Sequence, residues 1–232
     1  NPSSAASDVY KRQALEEDLG NLGDITSQAT VPQNQKSSAQ IKLKQDAVLC
    51  GMDFACLTFK LLDKKIKISA RKKDGSILKK GSTILKLHGN TQAILAAERT
   101  ALNFLGLMSG IATKAQNYSK IAKKNGSEIY STRKTIVGIR ELQKYALNIG
   151  GANINRMTLD DFFFIKDNHI SQSKDIIKSI AKVKAYYPKK KITVEVDTIA
   201  QLKKIINEKI DVVLLDNMNV TQIKNCLLYT SP

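Results

Sequence analysis

From Gly126 onward the chain alternates between two hydrophobic periods, and this constrains its fold more than any other feature. Runs that read as strands fall at 128–133, 162–166, 192–197 and 212–216, and helical patterns at about 139–148, 174–186 and 199–208 lie between them. Strands separated by helices are parallel, which leaves a barrel or a doubly wound sheet. No GxGxxG or P-loop follows any of these strands, so neither dinucleotide binding nor Walker-type phosphate binding is indicated. The preceding part reads differently. Ser38–Leu87 carries β alternation punctuated by Asp74-Gly75 and Lys80-Gly81. Asn90 and Thr91 then offer N-caps to a helix with Ile94, Ala97, Ala101, Leu102, Leu105 and Met108 on one face. Gly110 is expected to interrupt it, and a second helix to run to Lys124 with Gly126 as its stop.

The 232 residues carry 37 Lys+Arg against 21 Asp+Glu, a formal net charge of +16. Such a balance raises the question of a nucleic-acid or membrane partner. The lysines form no single stripe and have no interleaved aromatic platforms, which argues against a nucleic-acid-binding module; a small polyanionic substrate suits the charge better. Arginine is the informative cation here: only Arg12, Arg71, Arg99, Arg133, Arg140 and Arg156 occur. In a lysine-rich chain, an arginine marks a place where a planar, bidentate fork is useful. No apolar run has the length of a membrane span. Cys50, Cys56 and Cys226 lack metal-ligand spacing and suit a reducing compartment, so a cytoplasmic location is expected. With His88 and His169 as the only histidines, a zinc site or a His-based triad is not supported, and His88 reads as an incidental loop residue.

The chemistry is expected at the strand ends. The first strand ends at Arg133-Lys134 and the second at Lys166, with His169 just beyond; the third carries Glu195 and Asp197, and the fourth ends at Asp216-Asn217. Where parallel strands converge at the mouth of a barrel, such residues face bound substrate. The cations would hold an anion. The carboxylates would coordinate Mg²⁺ or stabilise a developing positive centre. The competing reading of any one of them is bland: strands end at water, and Lys166-Asp167 could simply begin a helix.

Several stretches, in order along the chain, point to one family. They include Glu17-Asp18-Leu19-Gly20, Gly23-Asp24-Ile25-Thr26-Ser27, Glu98-Arg99-Thr100-Ala101-Leu102-Asn103, Thr132-Arg133-Lys134-Thr135, Lys144-Tyr145-Ala146, Ile165-Lys166-Asp167-Asn168-His169, Val194-Glu195-Val196-Asp197 and Leu215-Asp216-Asn217. Together they resemble the quinolinate phosphoribosyltransferases. The resemblance implies an N-terminal α/β sandwich domain over 14–110 and an open α/β barrel over 111–225. It implies phosphoribosyl transfer from phosphoribosyl pyrophosphate to quinolinate with decarboxylation, with Mg²⁺ accompanying the donor. It also implies a homodimer in which Arg99 is lent to the partner's site. On the same basis Arg133, Arg156 and Lys166 match the clamp on the pyridine carboxylates, Lys134 faces substrate and donor, and His169 joins the substrate-binding set. Glu195 and Asp216 match the acids near the ribose and its Mg²⁺.

Departures from the family pattern are also legible. Asn155, in Gly150-Gly151-Ala152-Asn153-Ile154-Asn155-Arg156, stands where the family has a substrate-facing histidine. An amide can donate a hydrogen bond but cannot carry charge. Val137 replaces a common proline and Ser131 a common aspartate. Residues 1–13 and 226–232 lack the periodicity of their neighbours and read as non-native tails, and the family's later βα units, with their phosphate-cradling turns, do not follow Asp216. Asn155 keeps open a diverged paralogue of the molybdenum-utilisation type acting on another acceptor.

Overall fold

The computed structural model describes residues 4–69 and 71–230, which fall into two compact units, 1–155 and 156–232. The first unit opens with α1 (Ser4–Leu19) and the short α2 (Ile25–Thr30), whose N-cap Asp24 accepts the Ser27 N–H at 3.0 Å. The strands β1 (Lys36–Lys42) and β2 (Ala47–Val48) are followed by α3 (Met52–Leu62), then β3 (Lys67–Ser69), β4 (Ile77–Leu78) and β5 (Thr83–Asn90). β5 lies between β1 and β3, antiparallel to both, and β2 pairs antiparallel with β4. α4 (Thr91–Lys124) and α5 (Arg140–Ile149) complete this unit.

Asn90 caps α4 as its position suggests, its side chain accepting the Ala93 N–H at 3.0 Å. The helix then runs unbroken through Gly110, contrary to the expected interruption. Its buried stripe continues across that point through Met108, Ala112 and Ala115, and packing of this face outweighs the glycine's weak helix propensity. Ile94, Ala97, Ala101 and Leu105 pack with α3 and the β5 sheet. Further along, Phe104, Met108 and Ala112 share a core with Leu142 and Ala146 of α5.

The β reading of 38–87 missed α3, whose apolar Met52–Leu62 run is periodic only because one face, including Met52, Ala55 and Phe59, is fully buried. Its N-terminus has no cap of its own, because Gly51 sits there at φ +96° without a side chain. Asp74 supplies the cap from the turn before β4. Its carboxylate accepts the Gly51 and Met52 N–H groups and the Tyr145 hydroxyl of α5, each at 3.0 Å. Burial first, and then the Asp74 charge, push the Cys50 thiol and the Tyr145 phenol above their ordinary ranges, so both stay neutral. Asp74→Ala should cost roughly 2–3 kcal/mol of stability in urea melts, since it removes three bonds to one charged acceptor.

α5 ends against α4 with no space to spare. A Cβ placed on Gly150 would lie 2.3 Å from the Ala112 carbonyl oxygen and 2.6 Å from the Ala115 Cβ. Both obstacles belong to a packed helix and cannot swing away. Gly150→Ala is therefore expected to destabilise the protein by at least about 2 kcal/mol, read as a lowered urea midpoint.

The second unit holds β6 (Phe163–Ile165), α6 (Asp167–Ser173), α7 (Ile176–Tyr186), β7 (Ile192–Val196), α8 (Ile199–Ile205), β8 (Val212–Leu215) and α9 (Val220–Thr230). The strands form a parallel sheet in the order β6-β7-β8, as the alternation predicts. No strand forms at 128–133. That segment contributes a single parallel bridge, Tyr130 to Asn153, and ends in a loop.

Residues 4–13 are helical and fully bury Lys11, whose ammonium lies 5.4 Å from the Phe54 ring centre; residues 226–230 continue α9 and bury Cys226. Residues 1–3 and 231–232 lie outside the described part. His88 is a β5 residue, its Nδ1 3.0 Å from the Ser38 hydroxyl, and not a loop residue.

Candidate active site

The two faces of the β6-β7-β8 sheet have opposite chemistry. Phe163, Ile165, Ile192, Val194, Val196, Val213 and Leu215 alternate onto one face and join Ile176, Ile180, Leu202 and Ile205 of α7 and α8 in one core. The other face receives Phe164, Thr193 and Glu195, and the alternation carries it on to Lys166 and Asp197. Parallel register pairs Phe164 with Thr193 and Ile165 with Val194, so the next step sets Lys166 beside Glu195. Their Nζ and Oε2 atoms are 3.5 Å apart. Glu195 is 9% exposed, so its charge is held where water is scarce and a cation is needed.

Phe164 links this pair to an arginine. The Lys166 ammonium lies 4.9 Å from the ring centre and the Arg156 guanidinium 5.0 Å from it. Arg156 also stacks on Phe162 at 5.3 Å and donates to the Phe162 carbonyl at 3.3 Å, with only 8% of its surface exposed. Two cationic heads thus share one aromatic ring, a setting that favours them electrostatically. Phe162 and Phe164 were legible only as part of an apolar run. The signal that finds them is period 2, because 162, 164 and 166 occupy one side of an extended chain.

Asp216 stands one residue beyond β8. Its N–H donates to the Val196 carbonyl at 3.0 Å and its carboxylate accepts the Asn217 side-chain amide at 3.0 Å. Asn217 adopts φ +53°, a left-handed turn that asparagine tolerates and that ends the strand there. His169 lies exposed in the first turn of α6, its Nδ1 3.0 Å from the backbone nitrogen of Lys166.

The remaining sequence-predicted residues belong to the first unit. Segment 129–131 runs beside 153–155: the Asn153 N–H donates to the Ile129 carbonyl at 2.7 Å, and the Ser131 N–H to the Asn153 carbonyl at 2.9 Å. Buried Ser131 also accepts the Asn155 N–H at 3.4 Å. Beyond it, the Arg133 Nε is buried with no hydrogen-bond partner, an exception among buried donors. Lys134 and Asn155 are exposed, and Val137 is 95% exposed in the same loop. Arg99 projects from α4 as an exposed residue, with no ion pair or hydrogen bond to the described residues. Glu98 and Arg99 form no intrahelical ion pair with the described residues.

Among the described residues, no three His, Cys, Asp or Glu side chains group as metal ligands. Glu195 is already engaged by Lys166. Oxygen donors such as Glu195 and Asp216 are the ligand type that Mg²⁺ takes.

A helix-backed parallel sheet whose other face carries cations and carboxylates at its strand ends defines an α/β protein. Comparison with known proteins narrows the class. Residues 24–109 match the quinolinate phosphoribosyl transferase N-terminal domain and residues 111–231 match its C-terminal domain. The chain belongs to the quinolinate phosphoribosyl transferase family. It is 37% identical over 217 residues to the mitochondrial quinolinate phosphoribosyltransferase [decarboxylating] 2a of Nicotiana tabacum, covering 89% of this chain and 61% of that protein. To the nicotinate-nucleotide pyrophosphorylase [carboxylating] of Mycobacterium leprae it is 36% identical, covering 94% of this chain and 77% of the relative. Among solved structures, NadC from Streptococcus pyogenes superposes with a TM-score of 0.94 at 30% identity, over 99% of this chain and 81% of that one. The Francisella tularensis nicotinate-nucleotide pyrophosphorylase gives 0.92 at 35% identity, over 97% and 79%. The chain thus spans 61% of the plant relative's length and about four-fifths of the solved ones.

Proposed function

We propose that the protein transfers the phosphoribosyl group of phosphoribosyl pyrophosphate to quinolinate and releases pyrophosphate and CO₂, leaving nicotinate mononucleotide. Family membership supports this reading, and the observation that carries it is the convergence of Arg156 and Lys166 on the Phe164 ring beside buried Glu195. Quinolinate is a dianion. A stacked guanidinium offers one carboxylate two parallel N–H donors, and the lysine offers the other a point charge. The partnerless Arg133 Nε is a further donor that an anionic ligand would satisfy.

In the reaction, the pyridine nitrogen attacks the anomeric carbon as the bond to pyrophosphate breaks, its electron pair leaving with the pyrophosphate oxygen. Glu195 and Asp216 stabilise the positive character that develops on the ribose. The carbon–carbon bond to the 2-carboxylate then breaks, its electrons pass to the ring beside the quaternary nitrogen, CO₂ departs, and the carbon takes up a proton. Mg²⁺, when bound with the donor, neutralises charge on the leaving pyrophosphate. Lys134 is assigned to the donor side. Exposed Arg99 is assigned to a second copy of the chain, making the protein a homodimer. Three buried cysteines, none in a disulfide among the described residues, accord with a reducing, cytoplasmic setting, and among the described residues no helix is long and apolar enough to cross a membrane.

The test is CO₂ release and nicotinate mononucleotide formation by the full-length protein from quinolinate, phosphoribosyl pyrophosphate and Mg²⁺, with nicotinate as control acceptor. Quinolinate-dependent turnover is expected. A folded protein that turns over neither acceptor would place it with paralogues acting on another base. Asn155 yields a second expectation, since its exposed amide cannot carry charge. Asn155→His should lower KM for quinolinate roughly threefold to tenfold at pH 6, where imidazole is largely protonated, and the gain should fade by pH 8. Equal KM ratios at both pH values would remove charge at this position from the account.

A further inference from the structure

The family resemblance places His169 among the substrate-binding residues, but the geometry gives its ring another task. A backbone N–H only donates, so the 3.0 Å contact between the Lys166 nitrogen and the His169 Nδ1 makes Nδ1 the acceptor. The neutral ring then carries its proton on Nε2. Lys166 is the N-cap of α6, extended at φ −122° and ψ 171°, and its carbonyl receives the His169 and Ile170 N–H groups at 2.9 and 3.0 Å. His169 is the third residue of that helix, the position where glutamate or glutamine usually reaches back to the N-cap N–H. The reciprocal bond from the cap side chain cannot form here, because an ammonium has no acceptor. The bond from His169 is therefore the side-chain anchor on the backbone of Lys166. It lies one residue past the last laddered residue of β6, where the sheet no longer holds the chain.

We propose that His169 is a positioning residue for Lys166, acting through Nδ1 on the lysine's own N–H to hold the extended backbone that directs its side chain toward Glu195 and the Phe164 ring. The catalytic consequence rests on the phosphoribosyl-transfer reading; the cap itself does not.

The test compares His169→Ala with His169→Gln in the full-length protein, reading amide hydrogen exchange at Lys166 without substrate and steady-state kinetics with quinolinate. Alanine should speed exchange of the Lys166 amide about fivefold to tenfold and lower kcat about tenfold, with a smaller change in KM. Glutamine restores an acceptor at the usual capping position, so it should recover the protection and most of the lost kcat. A glutamine variant with full amide protection but alanine-like kinetics would overturn the proposal in favour of direct substrate contact through the ring. Unchanged Lys166 exchange in the alanine variant would overturn it as well. If the unsubstituted protein does not turn over quinolinate, the phosphoribosyl-transfer reading fails, while the exchange comparison still decides whether His169 anchors Lys166.

Discussion

Lys166→Ala is expected to reduce kcat/KM for quinolinate by roughly 10³-fold or more, because it removes the preorganised cation assigned to a substrate carboxylate. The lysine is held on two sides, by the Glu195 carboxylate at 3.5 Å and by the Phe164 ring at 4.9 Å. Its loss has a second consequence. Glu195 is nearly buried and would be left without its ion-pair partner, at a cost of about 1–3 kcal/mol in stability. The two effects separate in a double variant: Glu195→Gln in the Lys166→Ala background should recover much of the stability and none of the turnover. Urea melts together with single-turnover CO₂ release decide the matter. Near-normal chemistry in Lys166→Ala would strip the residue of its assigned role.

Arg156→Lys carries the next largest expected effect, although the charge is conserved. Arg156 stacks over Phe162 and Phe164 and donates to the Phe162 carbonyl, a planar arrangement that an ammonium on a flexible stem cannot reproduce. KM for quinolinate should rise roughly 30- to 100-fold, reflecting the lost bidentate fork, with a smaller fall in kcat. Stability should fall by about 1 kcal/mol as the ring contacts weaken. A lysine variant that binds quinolinate normally would show that the arginine serves the local fold and not the ligand.

The unequal legibility of these residues has a physical basis. β6, β7 and β8, and the helices between them, follow from hydrophobic period, because each element buries one side against a neighbour and repeats that pattern locally. Asn90 and Gly126 were readable as helix punctuation for the same reason: the cap bond and the left-handed stop involve residues only a few positions away. The failures share the opposite property. α3 takes its cap from Asp74, 22 positions away, and a β-rich composition around it conceals the helix. α4 continues through Gly110 because the core on either side of that point is contributed by α3 and α5. Segment 128–133 has strand composition but finds only one bridging partner, since a strand exists through its neighbours and not through propensity.

The order of charged residues along the chain, with cations earlier and carboxylates later, was determined by sequence alone, as was the family to which they belong. Which of them meet was decided by tertiary structure. Parallel register sets Lys166 beside Glu195, strand alternation turns Phe164 to the same side, and the chain returns Arg156 onto that ring. His169 adds a local contact to this group: it reads as a ligand for substrate in the motif, and its Nδ1 also lies 3.0 Å from the Lys166 backbone nitrogen. Periodicity is a property of adjacent residues and survives in one dimension, whereas a hydrogen bond or a stacked ring depends on distances that the chain acquires only when it folds.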